Sequence, residues 1–79
     1  MLYAGMDPVQ IGKSMKGLRE GKNESVDELS RALNISTSAI GMYEAGKRVP
    51  RDEIKIRIAE HFDVSVESIF FPNKQHEAC

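Results

Sequence analysis

The stretch SVDELSRALNISTSAIGMYEAG, residues 25–46, reads as two short helices joined by a tight turn. Ser25 and Glu28 have capping-box spacing: the hydroxyl can accept from the Glu28 amide while the carboxylate reaches back to the Ser25 amide. Leu29, Ala32 and Leu33 supply an apolar stripe at helical spacing, and Asn34, which tolerates left-handed backbone, marks its end. The turn is expected at Asn34 and Ile35. Ser36 is a second N-cap, Ile40 and Tyr43 follow on an inner face, and Gly46 stands where a left-handed helix end costs least. Two helices this short cannot bury much of each other, so they must lean on the rest of the chain. The opposite face of the second helix, Thr37, Ser38, Gly41 and Met42, carries no charge and only small or flexible side chains, which suits close approach to another surface.

Upstream, Asp7 and Pro8 form a helix entrance, an N-cap followed by a residue whose fixed φ suits the first turn. Ile11, Met15 and Leu18 recur at i, i+4 and i+7, which predicts a helix from Pro8 to Glu20. Gly12 and Gly17 lower its intrinsic propensity unless they serve close helix contacts. GKNE, residues 21–24, connects it to the central pair. Downstream, KRVPR (47–51) is a basic, irregular connection, and Pro50 prevents the preceding helix from continuing. DEIKIRIAEHF (52–62) is ambiguous, because Ile54, Ile56 and Ile58 alternate like a strand while Ile54, Ile58 and Phe62 repeat like a helix. No second strand pattern exists to pair with it, so a helix is expected, with Ile56 off the buried stripe. Ser65 then caps a short helix holding Val66, Ile69 and Phe70, which stops before Pro72. The expected organisation is one domain over residues 7–71, with loose ends at 1–6 and 72–79 and Met6 as an alternative start.

With 79 residues the chain is near the lower limit for a single core without staples. No apolar run approaches the roughly 20 residues of a membrane span, and MLYAGM lacks the features of a signal peptide. The single cysteine, Cys79, rules out an internal disulfide, so a reducing cytoplasm is the expected compartment. The net charge of −1 would argue against a nucleic-acid partner if it were evenly spread. It is not: residues 1–35 balance, residues 36–51 carry Lys47, Arg48 and Arg51 against Glu44 alone, and the remainder is acidic.

A short helix presented by a helix and a turn is the arrangement that places a reading element in the DNA major groove. The segments IGKSMKGLRE, SVDELSRALNISTSAIGMYEAGKRVP and IAEHFDVSVESIF together resemble the helix-turn-helix of the phage-repressor and Cro type, the XRE family, from about Ile11 to Phe70. That resemblance implies an all-α, compact five-helix lambda-repressor-like domain with a central helix-turn-helix, helices one and five packing across the central pair. It also implies base contacts from Thr37, Ser38 and Met42, with Gly41 allowing the DNA to come close. Thr and Ser hydroxyls can meet either base type, and Thr or Met carbon can touch a thymine methyl. Phosphate contacts are expected from Ser25, the Val26 amide and Ser36 at helix starts, and from Lys47, Arg48 and Arg51. Arg19 and Glu44 stand where similar repressors have a structural ion pair. The chain departs from the family in having Val26 where glutamine is usual and Ala45 where asparagine is frequent, and each change removes a polar contact to DNA.

Catalysis finds no support. His61 lies beside core positions and reads as a packing or surface histidine, and His76 with Cys79 would give a metal only two ligands of the four structural zinc takes. No enzyme activity, metal or cofactor is expected. The reading is a sequence-specific DNA-binding transcriptional regulator, a repressor acting as a homodimer on a pseudo-palindromic operator. Its dimer surface is expected to involve helix five and the end of helix four, because Val66, Ile69, Phe70 and Phe71 are more apolar side chains than one short helix can hide in a small core, which leaves Ile56 or Phe71 exposed. The alternative is a protein-interaction module of the same fold, an antitoxin or an antagonist of another regulator, favoured by the near-neutral charge and by Val26 and Ala45.

Overall fold

The computed structural model describes residues 7–70; the expected arm at 1–6, and Phe71, Pro72, His76 and Cys79, lie outside the described residues. Five α-helices follow one another: α1 (Pro8–Gly21), α2 (Val26–Leu33), α3 (Thr37–Glu44), α4 (Asp52–Phe62) and α5 (Val66–Phe70). Among the described residues there is no strand, and no helix is long and apolar enough to cross a membrane.

Local chemistry sets nearly every boundary. The Asp7 carboxylate accepts from the Val9 amide at 3.0 Å with Pro8 in the first turn. Ser25 and Glu28 close the full capping box, at 3.0 Å to the Glu28 amide and 2.8 Å back to the Ser25 amide. Ser36 accepts from Ala39 and Ser65 from Ser68 in the same manner. Left-handed residues end the helices: Asn34 after α2 at φ 58°, and Asp63 after α4 at φ 56°. Gly46, at φ 78°, ends α3 by bonding its amide to the Tyr43 carbonyl while Lys47 bonds to that of Met42, which satisfies two otherwise orphaned carbonyls. Residues 52–62 are helical, with Ile54, Ile58 and Phe62 buried and Ile56 half exposed.

The core gathers Ile11, Met15, Leu29, Leu33, Ile40, Ile58, Ile69 and Phe70 at almost complete burial. α1 packs on α3 and α5, α2 on α3 and α4, and α4 on α5. The expectation that helices one and five both cross the central pair therefore needs correction, because α5 seats chiefly on α1 and α4. The stripe predicted for α2 also shifts: Ala32 is exposed, and Ser30 is buried in its place. A buried hydroxyl is tolerated there because it donates to the Asp27 carbonyl at 2.8 Å. Ile69 and Phe70 of α5 are core residues with at most 1% exposure, while Ile56 on α4 is left at the surface.

Candidate nucleic-acid interface

α3 is eight residues long, too short to hold its shape alone in water, so its neighbours must fix it. Its inner side chains, Ile40 and Tyr43, are buried, and α1 approaches its last turn with backbone against backbone. A Cβ on Gly12 would lie 2.5 Å from the Tyr43 carbonyl oxygen and 2.6 Å from that of Glu44. Only glycine permits this approach. Gly17, by contrast, has nothing within 4 Å of the same point, so the close-contact reading holds for Gly12 and fails for Gly17. Just beyond the helix, Gly46 abuts Val9 at the start of α1, with a Cβ there falling 3.0 Å from the Val9 Cα.

Arg19 completes the attachment. Its Nε donates to Glu44 Oε2 at 2.8 Å and one terminal nitrogen donates to Oε1 at 3.1 Å, a two-pronged pair with both side chains largely shielded from water. The other terminal nitrogen donates to the Glu24 carbonyl at 2.9 Å. One guanidinium therefore joins α1, the loop before α2 and the end of α3. The hydrogen bond to Glu44 raises the Arg19 pKa above its ordinary value, against the lowering effect of burial, and the charges of Glu44, Glu20 and Glu24 act in the same upward direction.

With α3 held from inside, Thr37, Ser38, Gly41 and Met42 all lie exposed, and a Cβ on Gly41 would meet nothing within 4 Å. Ala45, one turn further, is exposed as well. The following connection is pinned by half-buried Val49 and buried Pro50, while Lys47, Arg48 and Arg51 stay exposed. No ion pair among the described residues engages these three cations. The phosphate candidates at helix starts are more constrained. The Ser25 and Ser36 hydroxyl oxygens already accept cap bonds, and Asp27 and Glu28 place carboxylates in the first turn of α2, where a phosphate would bring like charge. Beside them the Val26 amide makes no hydrogen bond among the described residues.

Several supports escaped sequence reasoning. His61 Nε2 lies 2.8 Å from Glu24 Oε2, with both side chains mostly buried, so α4 grips the loop that Arg19 also holds. An Arg57 terminal nitrogen donates to the Leu33 carbonyl at 3.1 Å, at the negative end of α2. Lys55 is buried to 8% exposure, 5.6 Å from the Phe70 ring centroid and 3.4 Å from Asp52. Each joins residues far apart in the chain or sits one place off an apolar stripe, and neither leaves a periodic mark. Among the described residues no group of three or more His, Cys, Asp or Glu side chains could hold a metal ion.

The helix-turn-helix family HTH_3 matches residues 15–69. A Pyrococcus horikoshii protein assigned to the HTH-type transcriptional regulatory proteins is 40% identical over 52 residues, covering 66% of this chain and 16% of the relative. The HTH-type transcriptional activator BcrR of Enterococcus faecalis is 30% identical over 61 residues, 77% of this chain and 30% of the relative. This chain thus spans only a small part of the curated relatives it matches. Among solved structures, the restriction-modification controller protein C.AhdI of Aeromonas hydrophila superposes with a TM-score of 0.75 at 25% identity, covering 81% of this chain and 97% of its own. An HTH_3 family transcriptional regulator from Vibrio cholerae gives 0.72 at 29% identity, over 87% of this chain and 38% of its own. With the family match spanning most of the described fold, the chain belongs to the helix-turn-helix family HTH_3, a family of DNA-binding transcription regulators.

Proposed function

We propose that this protein is a sequence-specific DNA-binding transcription regulator of the cytoplasm, acting as a homodimer on a pseudo-palindromic operator and repressing by occupying it. The observation that carries the reading is the uncharged, exposed face of α3, rigidly attached to α1 and followed by three exposed cations in no ion pair among the described residues. Thr37, Ser38, Gly41 and Met42 would meet base edges in the major groove. Lys47, Arg48 and Arg51, with the Ser25 and Ser36 hydroxyls and the Val26 amide, would meet phosphates, which position the helix without reading sequence. A dimer doubles the few contacts one α3 can make and sets half-sites about 34 Å apart. Ile56, 51% exposed beside Val66 and Asp52, supports an apolar dimer contact on α4.

The test is a salt series on a duplex chosen by random-site selection. Three cations per protomer, six per dimer, predict that log affinity falls with log salt at a slope of about −5, or about a thousandfold between 50 and 200 mM. A promoter fusion then reads the direction of regulation, and a rise in transcription would overturn repression while leaving operator binding intact. The second reading, a protein-interaction module of this fold, is favoured by one observation: Asp27 and Glu28 stand at the α2 start where a phosphate would otherwise dock. Binding without salt dependence would favour that reading.

A further inference from the structure

We propose that α3 reads thymine through its C5 methyl group, so that the operator half-site is defined by methyl groups in the major groove and 5-methylcytosine can stand in for thymine there. The inference rests on the DNA-binding reading above and concerns only what α3 recognises.

The exposed positions of α3 and its C-cap are Thr37, Ser38, Gly41, Met42 and Ala45, spaced as one face of a helix. None carries an amide, a guanidinium or a carboxylate, so none can form the two-pronged pairings by which Arg selects guanine and Asn or Gln selects adenine. The charged residue of the helix, Glu44, has both oxygens engaged by Arg19, at 2.8 and 3.1 Å. Hydroxyls remain, and a Ser or Thr hydroxyl meets any base without strong preference.

What this face does offer is carbon around a gap. At Gly41 the helix surface is bare, with nothing within 4 Å of where a Cβ would stand. Thr37 and Ser38 lie one turn before it, Met42 beside it and Ala45 one turn after. A thioether adapts its shape readily, and Met42 is 37% exposed. The result is an open, low surface flanked by Thr37, Met42 and Ala45 carbon, which a thymine methyl can approach while Ser38 donates to the O4 of the same base. Cytosine lacks that methyl and 5-methylcytosine carries it at the same ring position. On this face the methyl is therefore the group best able to separate T·A from C·G.

Deoxyuridine tests this, since it removes the methyl and keeps the O4 acceptor and the base pairing. In a duplex taken from random-site selection, deoxyuridine at the critical thymine of one half-site should weaken binding about fourfold, and in both half-sites about 15-fold. Cytosine there should also bind more weakly, with 5-methylcytosine recovering about fourfold per half-site. Gly41→Ala, which sets a methyl group on that open surface without meeting another atom, should hold the base edge away and reduce the deoxyuridine effect while leaving the salt slope unchanged. Salt-dependent binding that is indifferent to deoxyuridine at every position would overturn methyl reading and leave DNA binding standing. Failure of every duplex to bind in a salt-dependent way would overturn both.

Discussion

Gly12→Ala and Gly17→Ala place the same methyl group on the same helix, five residues apart, and should act in opposite directions. In a helix interior alanine is favoured over glycine by about 1 kcal/mol, and that gain is available at both sites. At Gly17 nothing opposes it, because the added Cβ meets no atom within 4 Å. At Gly12 the Cβ would stand 2.5 and 2.6 Å from two carbonyl oxygens and 2.9 Å from the Glu44 carbonyl carbon. Those atoms are backbone in the last turn of α3, so no side-chain rotation relieves the overlap, and α1 must move away as a body. Overpacking a well-filled contact costs about 3 kcal/mol at the upper end of the usual range. The net loss for Gly12→Ala is then about 2 kcal/mol, and the gap between the two variants about 3 kcal/mol. Urea unfolding followed by helical circular dichroism measures it directly. With a slope of about 1 kcal/mol per molar for so small a domain, the midpoints should differ by roughly 3 M. If Gly12→Ala equals the parent or exceeds it in stability, α1 does not approach α3 as closely as described, and the account of how α3 is held is wrong.

Arg19→Ala should cost about 3 kcal/mol, since it leaves Glu44 shielded and uncompensated, and Arg19→Lys should recover only part because the two-pronged geometry is lost. The folded-state pKa of Arg19 is raised, so its contribution is complete below the unfolded value and disappears only as pH climbs through the higher folded one. The stability difference between parent and Arg19→Ala should accordingly stay constant from about pH 6 to pH 10, and a steady decline across that window, measured by unfolding at each pH, would contradict the assignment. On DNA, Lys47→Ala or Arg48→Ala should weaken all duplexes alike and reduce the salt slope by about one unit each, whereas Thr37→Ala or Ser38→Ala should relax preference at one or two base pairs by about 1 kcal/mol. Titrations of selected and scrambled duplexes separate these outcomes, and an unchanged preference in the Thr37 and Ser38 variants and in Met42→Ala as well would remove α3 from the reading role. Ile56→Glu should abolish self-association in sedimentation at micromolar concentration without lowering helix content; a dimer that persists would move the interface elsewhere.

What could be read in advance was whatever depends on neighbours in sequence. Ser25 with Glu28, Ser36, Asp7 with Pro8, and Gly46 are local devices, and each appears where the spacing indicated. Residues 52–62 were legible because a lone strand has no partner, and Ile56 fell outside the stripe for the same reason. The exchange of Ala32 for Ser30 was not legible, since a serine that satisfies itself on the Asp27 carbonyl is as easily buried as an alanine. Gly12 and Gly17 look alike in sequence and differ only through the carbonyls of Tyr43 and Glu44, far along the chain. The bond from His61 to Glu24 spans 37 positions with no pattern to announce it. The pairing of Arg19 with Glu44 was reached through family resemblance alone, and nothing in the residues themselves would have suggested it.

Arg19 also bears on when order is imposed. Because one guanidinium clasps the end of α3 and the loop ahead of α2, α3 cannot loosen its last turn without disturbing α1 and that loop together. Its conformational freedom is therefore surrendered during folding, long before any partner arrives. On the proposed DNA-binding reading, a helix that had to freeze on contact would forfeit part of each encounter to ordering, whereas α3 would meet its target already set. Selectivity would then fall to shape: with a rigid helix and few directional bonds, a groove whose methyl groups are misplaced is not accommodated by local adjustment, and rejection follows from misfit.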